Sequence, residues 1–590
     1  MISVPLYDRC TRIPPGDDRV GASSIIDPDF MPSPRPPECL SGDDALARGA
    51  WEEARDAFQA ALCVRELPEA REGLGSAAWW LDCADLVFDS RERAYRLYLA
   101  QGDCAGAARV AVWLAWDYWA FRGENAVANG WLQRARRLLD GYPPCSERAW
   151  LEVREGALCL LEEGDPVRAL ALAAEGIRIA REAGNIDLEM LGLAVRGLSL
   201  VSSGAVAEGM RNLDEVNAAV LAGELTDRVA IGLSGCYLIA ACERVRDYDR
   251  GVQWCRRLKE SCAKWGLRPL FAVCRTQYAS ICLWRGTWLE AEQELCAARD
   301  ELAASRPAMI SDALVRLAGL RRRQGRLAEA AALVAQVPPH GAGLLERAEL
   351  AFDFGDARAA VEQAEQYLRQ VSTANRTDRA SGLELLVRAL TDLKDGESAK
   401  TALAELSSIA TLVATIPLQA AASFAAGYVA LGDSQADAAR RYFEDAVDLY
   451  LRSSAPFEVG RARIELARTL GKLGRINAAI EEARRAKTLL SELTAELETA
   501  RAQRVLDALT GLQLTDAEPV APAVRSGGLT RREIEVLLLV AEGLNNQMIA
   551  ERLFVSEHTV HRHLANILNK LDVSTRAAAV AQAVRRGLLT

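Results

Sequence analysis

The chain has 590 residues, half of them hydrophobic and 26% charged, enough for several packed domains and too apolar for a disordered protein. Lysine and arginine total 71 against 81 aspartates and glutamates, a net charge of −10. That balance excludes a polybasic nucleic-acid coat or membrane-surface binder and makes any DNA contact local. Residues 1–42 are expected to be a flexible arm, because Pro14, Pro15, Pro28, Pro32, Pro34, Pro36 and Pro37 deny helix ladders and the apolar residues have no period. Met1 to Cys10 lacks the basic start and apolar run of a secretory signal, so the fourteen cysteines are expected to be reduced in a cytoplasmic protein.

Residues 43–514 are rich in Ala, Leu, Glu and Arg and nearly free of strand signals, which predicts an all-α body. Within it Leu406 to Gly432 carries no charge and is long enough to cross a bilayer. Its serines and threonines, its alanines and Pro417 make it a poor lipid-facing segment, so two buried helices and no membrane contact are expected.

A phrase recurs along this body: Gly, a small residue five on, an apolar one nine on, and a small or apolar one twelve on. It runs Gly49, Ala54, Phe58, Ala61; Gly123, Ala128, Leu132, Ala135; and Gly164, Ala169, Ala173, Gly176. Gly102, Gly204, Gly286, Gly325, Gly355 and Gly474 open further copies, Arg246 and Lys394 stand where glycine is expected, and Gly432 is followed by a two-residue insertion. Glycine ends one helix in a left-handed cap, and the later positions share one face of the next helix. Gly49-Ala50-Trp51-Glu52-Glu53-Ala54 and Gly286-Thr287-Trp288-Leu289-Glu290-Ala291 resemble the second half of a tetratricopeptide repeat. The resemblance implies helical hairpins stacked into a superhelix, with a spacing of about 40 residues rather than about 34. The short step from Gly102 to Gly123 marks one of those two as a false hit or half repeat.

All twelve tryptophans lie between Trp51 and Trp288, where indoles are expected chiefly as core. Trp79, Trp80, Trp113 and Trp116 are the candidates to line a surface for an unknown ligand or peptide. No Cys-x-x-Cys occurs and only His340 among the four histidines lies in this region, so no metal site is expected. No G-x-x-x-x-G-K-[ST] loop occurs either, so neither an ATPase motor, another cofactor nor an enzyme activity is expected. A thiol switch among the front-half cysteines stays open.

Residues 515–528 read as a proline-spaced linker. Beyond it, Thr530 and Glu533 predict a capping box. Helices follow over about 546–554, capped by Asn545, over 557–571, capped by Ser556, and over 575–586, capped by Ser574. Helix, tight turn, helix, with Ala550 at the crossing and Ile549, Leu553, Val555, Val560, Leu564, Ile567 and Leu568 as core, is the pattern of a helix-turn-helix DNA reader. Leu529-Thr530-x-Arg532-Glu533-x-Glu535-Val536-Leu537, Gly543-Leu544-x-Asn546-x-x-Ile549-Ala550, Ser556-x-x-Thr559-Val560-x-x-His563 and Lys570-Leu571 with Arg576 resemble the LuxR-type helix-turn-helix. Asn545, Met548 and His561 depart from its usual Ser, acidic residue and Lys.

The resemblance implies a four-helix domain at 529–590 that binds double-stranded DNA, with Ser556, Thr559, Val560, His561, Arg562, His563, Asn566 and Lys570 at or near the contact. Arg562, His561 and Asn566 suit the major groove, and Ser556, Thr559 and Lys570 suit phosphate. It also implies a homodimer through the last helix, at Ala577, Val580, Ala581 and Val584, a two-fold site and contact with RNA polymerase. Three histidines on one helix raise the prospect of DNA affinity that increases as pH falls toward 6. Residues 527–590 hold eight basic and six acidic residues, so the remainder carries −12 and could mask the basic helix at rest. The function expected is a sequence-specific transcriptional regulator with a sensing solenoid; the alternative is an interaction scaffold whose terminal domain merely tethers it or no longer binds.

Overall fold

A computed structural model describes residues 37–265, 268–515, 529–553, 555, 557–571, 573, 575–586 and 588–589. These residues form twenty-nine α-helices and no strand. The first twenty-four pair into twelve antiparallel hairpins, from Pro37–Arg48 with Trp51–Val64 to Pro456–Lys472 with Ile476–Glu492, and Glu496–Thr515 covers the last pair. Among the described residues the first helix, Pro37–Arg48, overlaps the end of the expected arm; proline is harmless in a first turn, where its missing N–H would have no partner. Of the expected linker only Thr515 is described, and it ends a helix.

The two helices of a hairpin bury different amounts for a geometric reason. The second is amphipathic: helix Ala357–Gln370 buries only Ala360, Ala364 and Tyr367, five, nine and twelve residues after Gly355, and Asn125–Leu138 buries only Ala128, Leu132 and Ala135 after Gly123. The first helix is wedged between neighbours, and Ile186–Ser203 buries twelve of its eighteen residues.

Left-handed residues mark the turn inside each hairpin, at Gly49, Gly123, Gly164, Gly204, Gly286, Gly325, Gly355 and Gly474 and also at Arg246 and Lys394. Two anchors need correction. Gly102 is left-handed but lies between hairpins, and the second hairpin turns at Asp82, with φ of 55°. Gly432 ends its helix in ordinary geometry, and Ser434, with φ of 61°, takes the left-handed turn. Counted from Ser434, Ala439, Phe443 and Ala446 fall on the phrase and all are fully buried.

The solenoid winds back onto itself. A Cβ on Gly325 would stand 3.0 Å from the backbone nitrogen of Leu497, and one on Gly164 would stand 3.6 Å from Asn375. Trp284 Nε1 donates to the Ser453 carbonyl at 2.9 Å and Thr415 Oγ1 to that of Val245 at 2.6 Å. Each superhelical turn thus rests on one roughly five hairpins further along. The uncharged stretch divides into Gly396–Val413 and Ile416–Gly432. No helix among the described residues is long and apolar enough to cross a membrane.

Residues after 528 pack around a core of their own, including Val536, Leu537, Ile549, Val560, Ile567, Leu571, Ala579 and Ala583.

Candidate nucleic-acid interface

Four helices build the terminal domain: Arg531–Ala541, Asn546–Leu553, Glu557–Leu571 and Arg576–Arg585. The first opens with the expected capping box, Thr530 Oγ1 accepting from the Glu533 amide at 3.2 Å while Glu533 Oε2 accepts from the Thr530 amide at 2.7 Å. Asn545 Oδ1 caps the second helix by accepting from the Met548 amide at 2.9 Å. Ser574 lies outside the described residues; Thr575 caps the fourth helix, accepting from the Ala578 amide at 3.2 Å. The second and third helices pack closely at the turn, with Ile549 and Val560 fully buried beneath them. The third is the reader helix of this arrangement.

The expected contact residues do not share one environment. Ser556 lies outside the described residues. Val560 is sealed in the domain core and cannot meet a base, because its position on the helix faces the first two helices. Lys570 is committed elsewhere: its Nζ donates to both carboxylate oxygens of Glu533 at 2.7 and 2.8 Å, tying the reader helix to the first helix. Burial opposes ionisation of Glu533, yet the Lys570 ammonium and the Thr530 amide hold its carboxyl below the usual range. His561 and Asn566 are exposed.

Thr559 and Arg562 face the solenoid. Thr559 is only 3% exposed, and its hydroxyl donates to Glu444 Oε2 at 2.7 Å. The Arg562 guanidinium lies 3.8 Å from Glu444 Oε1 and 3.5 Å from Glu482 Oε1. Both glutamates are buried, and each is already held by solenoid arginines, Glu444 by Arg440 at 2.7 Å and Glu482 by Arg463 at 2.5 Å. The reader helix therefore docks on helices Ala436–Arg452 and Ile476–Glu492 through two residues expected to touch DNA. No sequence signal marks this pairing, because Glu444 and Glu482 sit in helices whose acids read as solvated.

His563 is half-buried beside this seam. Burial, with the Arg562 cation next to it and Arg532 nearby, pulls its imidazole down to about 4 against the opposing pull of Glu533 and Glu444. A ring that stays neutral from pH 6 to 8 makes no contribution to a DNA affinity that rises as pH falls toward 6. On the last helix Ala577, Ala581 and Val584 are exposed, while Val580 packs partly on the domain core.

The expected tryptophan surface is core. Trp79, Trp80 and Trp116 are at most 6% exposed and Trp113 is half-buried. Trp79 packs edge-on against Trp80 and Trp113, and Trp113 tilts on Trp150. These rings enclose a buried ion pair, Arg91 to Asp117 at 2.5 Å, and the Arg154 guanidinium lies 4.1 Å from the Trp116 ring and 4.3 Å from that of Trp150. Among the described residues no group of histidines, cysteines and acids could hold a metal ion. Cys236 and Cys274 Sγ stand 3.3 Å apart as free thiols, and burial pushes the Cys159 thiol up to about 12, the reverse of an activated thiolate.

Residues 528–583 match the family model described as "Bacterial regulatory proteins, luxR family". The chain is 49% identical over 59 residues to the transcriptional regulatory protein DegU of Brevibacillus brevis, covering 10% of this chain and 25% of that protein. It is 38% identical over 108 residues to the transcriptional regulatory protein LiaR of Bacillus subtilis, covering 16% of this chain and 51% of that one. The chain thus spans a quarter to a half of the length of these relatives. Among solved structures, the APC/C hetero-tetramer Cut9-Hcn1 aligns over 80% of this chain and 95% of its own, at 14% identity and a TM-score of 0.44. The end of the chain is a luxR-family helix-turn-helix domain, joined to a solenoid of twelve helical hairpins.

Proposed function

We propose that this protein is a DNA-binding transcriptional regulator whose solenoid senses a ligand or partner and holds the reader helix back until that signal arrives. The observation that carries the reading is the docking of Thr559 and Arg562 on Glu444 and Glu482, because the buried Thr559 cannot also reach a phosphate and the partly exposed Arg562 must leave both carboxylates to reach a base edge. Of the expected contact residues, His561 and Asn566 stay exposed and are not paired with Glu533 or the solenoid. The exposed Ala577, Ala581 and Val584 suit self-association on a two-fold DNA site. Contact with RNA polymerase and a cytoplasmic setting follow from the same role. The role is one of binding and release and calls for no reaction.

The test is selection of genomic DNA by the full chain and by residues 529–590, whose core is separate from the solenoid, at one fixed salt concentration because phosphate contacts dominate affinity. Both are expected to enrich one pseudo-palindrome, the fragment more tightly. Replacing Glu444 and Glu482 together by Gln in the full chain is expected to raise its affinity roughly fivefold, the equivalent of about 1 kcal/mol for a partly exposed ion pair. Equal affinity of full chain and fragment removes the holding role, and failure of both to enrich DNA removes the regulator reading.

A further inference from the structure

A cavity of about 200 Å³ lies where one superhelical turn rests on the next, between helices Ile310–Arg323 and Pro456–Lys472. Its apolar lining includes Tyr248, stacked on Trp284 at 4.9 Å and 28°, with Phe457, Leu283 and Val315. Its charged lining is almost fully paired off. Glu243 takes Arg316 at 2.8 Å, Glu346 takes Arg322 at 2.7 Å, and Glu458 takes Arg461 at 2.9 Å. Arg323 is left over. Its Nη1 donates to the Gly319 carbonyl at 3.5 Å, no carboxylate among the described residues lies within 4.0 Å of it, and its guanidinium stands 5.6 Å from the Phe457 ring. Burial, with the Arg322 cation beside it, disfavours its charged form against the pull of Glu458, Glu346 and Glu349.

A half-buried guanidinium with no carboxylate in direct contact, lining one cleft with three aromatic rings, is an unfilled half of a recognition site. A cavity of about 150 Å³ in a protein interior accepts a benzene ring, so this one has room for a single ring bearing a small charged group. Glu243, Glu346 and Glu458 share the lining with Arg316 and Arg323, and their field tolerates one negative charge better than two. We propose that this cavity binds a monocyclic aromatic carboxylate, its carboxylate on Arg323 and its ring against Phe457, Trp284 and Tyr248. Trp284 also lies 6.1 Å from Tyr450 and is bonded to Ser453; Tyr450 belongs to the helix whose Glu444 holds the reader helix. The site thus abuts the element that the signal must move. Its purpose rests on the sensing role above, but its existence does not, and a binding measurement separates the two.

The experiment is calorimetric titration of the full chain with benzoate, with benzamide as the uncharged isostere and phenyl phosphate as the dianion. Benzoate is expected to saturate one site at millimolar concentration or below, with benzamide and phenyl phosphate at least tenfold weaker. Arg323→Gln is expected to weaken benzoate at least tenfold and Arg323→Lys to retain most of the affinity, which separates loss of charge from loss of fold. Absence of saturable benzoate binding, equal binding by Arg323→Gln, or tighter binding of phenyl phosphate overturns the proposal.

Discussion

Single residues on the reader helix show how one amphipathic stretch is divided among competing partners. Val560 goes to the domain core, Lys570 to Glu533, Thr559 and Arg562 to the solenoid, and His561 and Asn566 to solvent. The division makes His563 a stability group rather than a DNA contact. An ordinary imidazole binds its proton near 6.5 and this one near 4. Between those values the unfolded chain binds more protons than the folded one, so stability is fully present above about pH 6.5 and is lost as pH falls toward 4. At pH 5 the loss amounts to at most about 2 kcal/mol. Urea unfolding of the full chain, in which the solenoid still covers the seam, at pH 7 and pH 5 is expected to show it, and His563→Gln to flatten that dependence. DNA affinity owes no rise to His563 between pH 8 and 6.

Helices and their caps are the scale at which the sequence was most legible. A left-handed turn followed by small and apolar residues at fixed intervals shows in the text because glycine is the residue that enters that conformation without steric cost. Where Asp82 and Ser434 enter it instead, the signal disappears, and the glycines Gly102 and Gly432 draw the pattern to themselves. The terminal domain was legible for the same reason: Thr530, Asn545 and Glu533 announce helix starts through their own hydrogen bonds. Contacts between elements far apart in the chain left no such mark, and Glu444, Glu482 and Arg323 look like any charged residue of an amphipathic helix. The cap argument yields a prediction. Ala414 is exposed and left-handed, with φ of 57°, and its side chain makes no core contact. Ala414→Gly removes a left-handed penalty of about 1–2 kcal/mol and adds back glycine's greater unfolded-state freedom of roughly 0.5–1 kcal/mol. A net gain of about 0–1.5 kcal/mol is expected in thermal or urea unfolding.

At the scale of the whole molecule, the solenoid is a stack of turns that close on each other, and both the reader-helix dock and the aromatic cavity sit where turns meet or near it. Gly325 and Gly355 allow that closure to be measured. Both are left-handed, at φ of 84° and 88°, so alanine at either pays the same backbone strain of about 1–2 kcal/mol. At Gly355 nothing lies within 4 Å of the added methyl group. At Gly325 the methyl meets the Leu497 backbone nitrogen at 3.0 Å and Leu497 and Glu496 side-chain carbons at 3.4 Å. The backbone must therefore give way, and it belongs to Glu496–Thr515, the helix that covers the last hairpin. Gly355→Ala is expected to cost only the strain, whereas Gly325→Ala is expected to cost at least about 1 kcal/mol more. It should also enlarge the radius of gyration in solution scattering, with helical content unchanged. Equal losses for the two variants, with equal scattering, would mean that the turns do not bear on each other in solution. The dock on Ala436–Arg452 would then stand without support from the turn beneath it.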